Sequence, residues 1–238
     1  MESETLPFKI ILGSKSKARR EIMAEMGYEF TILTADIDEK AIRKEKPEDL
    51  VMALAEAKAD AIISKLQIAD KQVNDTEPTL LIAADTEEAI LPKPSNDDHR
   101  IDAGPTILIT GDQVVVYEGM IREKPSNEEE ARQYIKDYSG RKASTVSSVL
   151  VTNLQTGFRK GEWDKVEILF DDISDEIIDK LIEEGAVLNV AGGLIIEHPL
   201  VLPLVKEVVS STSTDMNCGI MALFLCRGSS KRVFCNHK

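Results

Sequence analysis

Apolar positions along the chain fall into short runs that alternate with amphipathic stretches, in the order strand, helix, strand, helix. "FKIILG" is an unbroken apolar run of strand length, and a loop carries it into "KARREIMAEMG", where Ala18, Ile22, Met23 and Met26 fall near one face and Gly27 is the expected stop. "YEFTILTADIDE" predicts a second strand that ends in carboxylates. Pro47 then opens a long helix to Leu66, with Leu50, Leu54, Ala57 and Ala61 spaced for burial. Such an order predicts an α/β sheet.

From Gln67 to Thr106 the periodicity dissolves into Pro-, Asp- and Asn-rich sequence, which predicts a mobile insertion over 67–106. "ILITGDQVVVYEG" restores the strand pattern, and Ser126 with Glu129 has capping-box spacing ahead of a helix that Gly140 stops. "ASTVSSVLVTN" and "RKGEWDKVEILF" flank Gln155, Thr156 and Gly157 as the two strands of a hairpin. In "SDEIIDKLIEEG" Ser174 is the expected cap, and Ile177, Ile178, Leu181 and Ile182 share one face. Beyond "NVAGGLIIEHP" and "LVLPLVKEVV", residues 210–238 form a tail without consistent period. One domain over 1–238 is expected, carrying the insertion and the divergent tail.

Composition narrows the function. At 238 residues and 42% apolar content the chain can bury a real core. A net charge of -13 argues against nucleic-acid backbones and anionic membranes as partners, so any anionic ligand must meet a local cationic site. The start lacks the pattern of a signal peptide and no apolar run nears the roughly 20 residues that span a bilayer, so a cytoplasmic protein is expected. Cys218, Cys226 and Cys235 are odd in number and confined to the tail, which suits neither a disulfide framework nor a zinc site.

"GSKSKARR" (13–20) sets Ser14, Ser16, Arg19 and Arg20 where a strand meets a helix. Unpaired amides and the dipole make a helix N-terminus attractive to anions, and guanidinium forks match phosphate oxygens. A polyphosphate cradle and a capped helix with a solvated basic turn both fit, although cations near an N-terminus are unfavourable without an anion. The spacing is not that of a Walker loop. "ADIDE" (35–39) is either a holder of hard cations or a solvated acidic turn. Lys58, amid alanines, either reaches an anion or snorkels to water.

"ILGSKSKARREIMAEMGYEFTILTADIDE", the alanine-rich helix with Lys58, "GDQVVVYEGMIREKP", "EEARQYIKDYSG" and "NVAGGLIIE" follow one another in the order found in the Maf family of nucleotide pyrophosphatases, which the chain resembles over most of 8–66 and 107 to about 209. It looks most like the plant Maf-like proteins. The resemblance implies an elongated α/β fold, a mixed sheet flanked by helices with two lobes around a central cleft. It implies hydrolysis of a nucleoside triphosphate between the α- and β-phosphates, with Mg2+ or Mn2+ as cofactor. It places Ser14, Ser16 and Arg19 or Arg20 in the phosphate-binding loop, with Glu39, Lys58 and Lys124 lining the cleft. Glu39 and Asp112 are the implied metal ligands, and a homodimer is left open.

Two aspartates compete for the catalytic place. In the family that residue ends a strand and is followed by a short strand, a glycine turn, and a Lys-Pro leading to a capped helix. Asp112, "VVVYEG", Lys124-Pro125 and "SNEEEARQYIKDYSG" reproduce this, which makes Asp112 the candidate general base. After Asp85 come Glu87 and Glu88, no glycine turn, and a Lys93 that arrives four residues too early. By resemblance, Gln113 after the aspartate and Glu197 after the Ala-Gly segment point to the type acting on 7-methyl-GTP rather than on dTTP and UTP. Ala18 departs from that type, which can carry a tryptophan there. His198 reads as a turn residue ahead of Pro199, His99 and His237 as loop residues, and Trp163 as a hairpin surface or edge residue. Ser139 and Ser147 lack the partners of a covalent nucleophile. The insertion, whose "LLIAADTEEAIL" is apolar enough to compete with "ILITGDQVVVY", and the divergent tail favour a rival: a nucleotide-binding regulator or catalytically impaired isoform.

Overall fold

The computed structural model describes residues 8–72, 105–210 and 234–235. Its elements in chain order are β1 (Lys9–Leu12), α1 (Lys17–Glu25), β2 (Thr31–Ile32), α2 (Pro47–Gln72), β3 (Thr106–Thr110), β4 (Gln113–Tyr117), β5 (Met120–Arg122), α3 (Glu128–Tyr138), β6 (Lys142–Asn153), β7 (Arg159–Phe170), α4 (Asp175–Glu183), β8 (Val205–Ser210) and β9 (Phe234–Cys235). This is the expected α/β class, a mixed sheet with helices beside it. The described residues divide into two compact units. One holds those up to Arg43, Met52–Gly111 and Val149–Glu162; the other holds Lys44–Val51, Asp112–Ser148 and the residues from Trp163 onward.

In the first unit β1 pairs in parallel with β2 and, on its other side, with β3. β3 pairs antiparallel with the end of β6. Both faces of β1 are covered, which is why its sequence is continuously apolar rather than alternating. Ile11 packs with Leu33, Ala55, Ala59, Ile62 and Leu108, while Ile10 and Leu12 pack with Met23. The predicted second strand survives as two residues, because β1 ends at Leu12 and offers β2 no further partner. α2 runs past Leu66 to Gln72, so the first residues of the expected insertion are helical; residues 73–104 lie outside the described residues. Its buried line is Val51, Ala55, Ala59 and Ile62 with Leu50 and Leu54, and Ala57 and Ala61 sit only at its margin. Met26, expected on the inner face of α1, is 37% exposed because the helix ends at Glu25 and Gly27 turns the chain at φ +78°.

In the second unit β4 forms a hairpin with β5 and pairs antiparallel with the start of β6. The hairpin turns on Glu118 and Gly119 at φ +48° and +79°, positive values that suit the twist of a two-residue loop. α3 starts one residue later than its sequence suggested. Asn127 Oδ1 accepts from Glu130 N at 2.9 Å, and the Glu130 carboxylate accepts from Ser126 N at 2.6 Å. Three successive glutamates leave either register open, and this one brings Ala131, Ile135 and Tyr138 onto the core face. Ser174 occupies the cap position of α4 without a side-chain bond, so burial of Ile178, Leu181 and Ile182, at about 1.5–3 kcal/mol each, is what holds that helix. The turn that joins β6 to β7 passes through Gly157 at φ +72° and belongs to the first unit, while Trp163, on the part of β7 in the second, stands exposed as expected. β8 pairs antiparallel with β7 and parallel with β9, which contains Cys235. Cys218, Cys226, His99 and His237 lie outside the described residues.

Candidate active site

Parallel β1 and β3 both run toward the loop that follows Leu12, and the carboxyl ends of parallel strands are where open α/β sheets bind ligands. Gly13 N donates to Ile109 O at 2.7 Å. A Cβ on Gly13 would stand 2.6 Å from Thr110 Cγ2 and 2.8 Å from Ile62 Cδ1, so only glycine lets the loop seat between the strand end and α2. Ser14, buried, accepts from Ser16 N at 3.2 Å and from Arg19 Nη1 at 3.2 Å. Ser16 Oγ accepts from Arg19 N at 3.4 Å and so caps α1. Arg19 Nη1 also donates to Gly111 O at 2.9 Å. Arg20 Nε is buried without a hydrogen-bond partner among the described residues, an arrangement that an anionic oxygen would relieve.

Glu39 and Lys58 also belong to this unit. Lys58 does not snorkel: its side chain is 15% exposed and its Nζ lies 2.9 Å from Glu39 Oε1. Its place on α2 falls between Ala55, whose carbonyl accepts from Thr110 Oγ1 at 2.9 Å, and Ile62, which meets Gly13. Of the acidic stretch 35–39, Asp38 is occupied as a cap, accepting from Lys40 N at 3.1 Å.

Asp112 and Gln113 open the second unit. Asp112 is tied at its backbone to Ser148, through Oγ at 3.2 Å and through Ser148 N at 2.8 Å, and its Oδ1 accepts from Gln113 N at 2.7 Å. Gln113 Oε1 accepts from Ser147 Oγ at 3.0 Å. Lys124 and Glu197 are both exposed. Their segments are joined where Gly192 N donates to Glu123 O at 2.8 Å. Asp85, Glu87 and Glu88 lie outside the described residues.

Sequence pattern did not single out Arg122, two residues before Lys124. Arg122, 6% exposed, pairs with Asp137, and its guanidinium carbon lies 4.4, 4.5 and 5.2 Å from the ring centroids of Tyr117, Tyr134 and Tyr138. Burial opposes its charge, yet bonds to Tyr138 and Asp137 outweigh that and raise its pKa. Burial likewise pushes the Tyr138 phenol up to about 12, and that hydroxyl donates to Gly192 O at 2.8 Å. The available signal was parity: Arg122 falls at an inward position of a short strand. His198 behaves as the turn residue expected, with Nδ1 accepting from Leu200 N at 3.2 Å and Nε2 2.7 Å from Glu184.

Among the described residues no group of three or more His, Cys, Asp or Glu gathers as a metal cage. Mg2+ seldom uses one; it is held by one or two carboxylates together with phosphate oxygens and water. Glu39, half-exposed beside Lys58, and Asp112 are oxygen donors of the right hardness, each within its own unit. Among the described residues no helix is long and apolar enough to cross a membrane.

Comparison with known proteins completes the picture. The family described as "Maf-like protein" matches residues 9–104 and 99–216, so the first match takes in the segment set apart as an insertion. A 7-methyl-GTP pyrophosphatase of Dictyostelium discoideum is 35% identical over 189 residues, 79% of this chain and 81% of that protein. A 7-methyl-GTP pyrophosphatase of Idiomarina loihiensis is 29% identical over 79% of this chain and 76% of its own, and a dTTP/UTP pyrophosphatase of Agathobacter rectalis 28% over 77% and 79%.

Proposed function

This chain belongs to the Maf family, and from that membership we propose that it is a nucleoside triphosphate pyrophosphatase acting on a 7-methyl-GTP-like nucleotide. Water attacks phosphorus at the α–β anhydride, the bridging P–O bond breaks, and a monophosphate and pyrophosphate leave. The observation that carries the reading is the loop of residues 13–20, where Arg19 is braced between Ser14 and Gly111 and Arg20 Nε is buried without a partner. A braced fork is preorganised for phosphate oxygens, and such preorganisation is the larger part of phosphoryl-transfer catalysis. Asp112, whose backbone is fixed by Ser148, takes the proton of the attacking water as general base. Lys58 and Lys124 supply positive charge to the phosphates. A divalent cation, Mg2+ or Mn2+, would neutralise charge developing on the phosphates, and Asp112 and Glu39 are the carboxylates that the family resemblance implies for it.

For the base, Gln113 and Glu197 are the readers, Glu197 accepting from the N–H groups of a guanine. 7-Methylguanine, thymine and uracil, the bases in the names of the relatives, all carry a ring carbonyl where adenine and cytosine carry an amino group. The test is a panel of 7-methyl-GTP, GTP, UTP, dTTP, CTP and ATP with Mg2+ or Mn2+, read by pyrophosphate release. Turnover led by 7-methyl-GTP is expected. Saturable binding with no release across the panel would replace this reading with that of a nucleotide-binding regulator.

A further inference from the structure

Gln113 and Ser147 are direct partners across the antiparallel pair of β4 and β6, and the Ser147 hydroxyl donates to Gln113 Oε1 at 3.0 Å. Ser147 is 3% exposed, so water does not compete for that bond. A serine hydroxyl carries one proton, and a glutamine amide has an acceptor end and a donor end. With the acceptor end engaged by Ser147, the two N–H groups have no partner among the described residues. Gln113 shares its strand face with Val115, against which Gly192 packs, and the chain from Gly192 leads on to Glu197. Gln113 and Glu197, the two proposed base readers, thus belong to the same unit.

We propose that Ser147 is a specificity-determining positioning residue: by holding the Gln113 amide as a pure donor, it makes the site select bases with a ring carbonyl, guanine O6 or uracil O4, over bases with an amino group there. This rests on the pyrophosphatase reading and deepens it. A donor that a bound base covers and meets with an amino group is left unpaired, and discrimination follows from that mismatch.

The experiment compares kcat/KM for two matched pairs, ITP with ATP and UTP with CTP, in the unsubstituted protein, Ser147→Ala, Ser147→Thr and Gln113→Glu. The carbonyl member is favoured by about tenfold or more in each pair, and Ser147→Ala brings the ratio to within about twofold because the released amide can turn over. Ser147→Thr, which keeps the hydroxyl, restores the ratio, and Gln113→Glu, which presents an acceptor, reverses it. A melting curve accompanies each variant. If Ser147→Ala fails to fold, Gln113→Glu decides alone: an unchanged carbonyl preference overturns the proposal. Turnover of both members of each pair at equal kcat/KM also overturns it while leaving the pyrophosphatase reading intact. No pyrophosphate from any nucleotide overturns that reading and this inference together.

Discussion

The guanidinium of Arg19 donates to the carbonyl of Gly111 at 2.9 Å, and Gly111 is the residue that precedes Asp112. One Arg19 nitrogen thus touches both the phosphate loop, through Ser14 Oγ at 3.2 Å, and the chain segment leading into the candidate base. Arg19→Lys keeps the charge but replaces a planar fork, which matches two phosphate oxygens while one nitrogen is braced, with a single flexible ammonium. Steady-state pyrophosphate release is expected to fall about 100-fold in kcat/KM, the scale of losing one preorganised donor. Activity within a few-fold of the parent would show that the bracing is incidental.

Asp112→Asn removes the proton acceptor while keeping side-chain size. Turnover should drop by about 1,000-fold with nucleotide binding retained, since general-base contributions run to about 100–10,000-fold. Asp85→Asn should stay near the parent. Comparable losses from the two substitutions would refute the assignment of Asp112.

Arg122 and Asp137 form a pair in which the arginine is nearly fully buried among three tyrosine rings. Breaking such a pair on one side strands the other charge, so Arg122→Met should lower unfolding free energy by about 3 kcal/mol in urea titrations. The double variant Arg122→Met, Asp137→Asn should lose less than the sum of the single changes. Strict additivity would mean that the two side chains are not coupled.

Tyr138 sets an alkaline limit. Its phenol is raised by burial to about 12, above the value of about 10 of an unfolded tyrosine. A group raised in the folded state contributes stability that is whole below about pH 10 and is lost as pH climbs through about 12. Tyr138→Phe should be less stable at neutral pH by about 1 kcal/mol, for the bond to Gly192 O, and should lose this alkaline dependence. Melting temperatures of both proteins followed from neutral pH to about 12 would test it, and parallel curves would count against it.

Much of the fold could be read from hydrophobic spacing, because β1, β3 and the hairpin of β6 and β7 carry long apolar or alternating runs that admit one interpretation. Boundaries were less readable where two registers compete. Asn127 and Ser126 each have a glutamate three residues on, and only the packing of Tyr138 chooses between them. In α2 the alanines blurred the face, since small residues satisfy several helix orientations until a neighbour such as Ile62 fixes one. Of the candidate site, the loop from Ser14 to Arg20 and the Lys58–Glu39 pair were anticipated as residues, but their partners were not. Bonds such as Arg19 to Gly111 join positions far apart in sequence and leave no local pattern. Arg122 escaped notice for the opposite reason: a charged residue in a short strand ordinarily signals an edge, and here three rings and a carboxylate reverse that expectation.

Gly192 is held from three sides. Its N–H is bound by Glu123 O, its carbonyl by Tyr138, and a Cβ there would fall 2.5 Å from Val115 Cβ. Its φ is +61°, so alanine adds left-handed strain to overpacking, and Gly192→Ala should destabilise by about 3 kcal/mol in chemical denaturation. Ready tolerance of alanine would refute the close approach. In genetic terms this makes residue 192 a silent sentinel: every single-base change that replaces its glycine introduces a Cβ, so a variant library selected only for folded protein should return glycine there, with no nucleotide needed to enforce it.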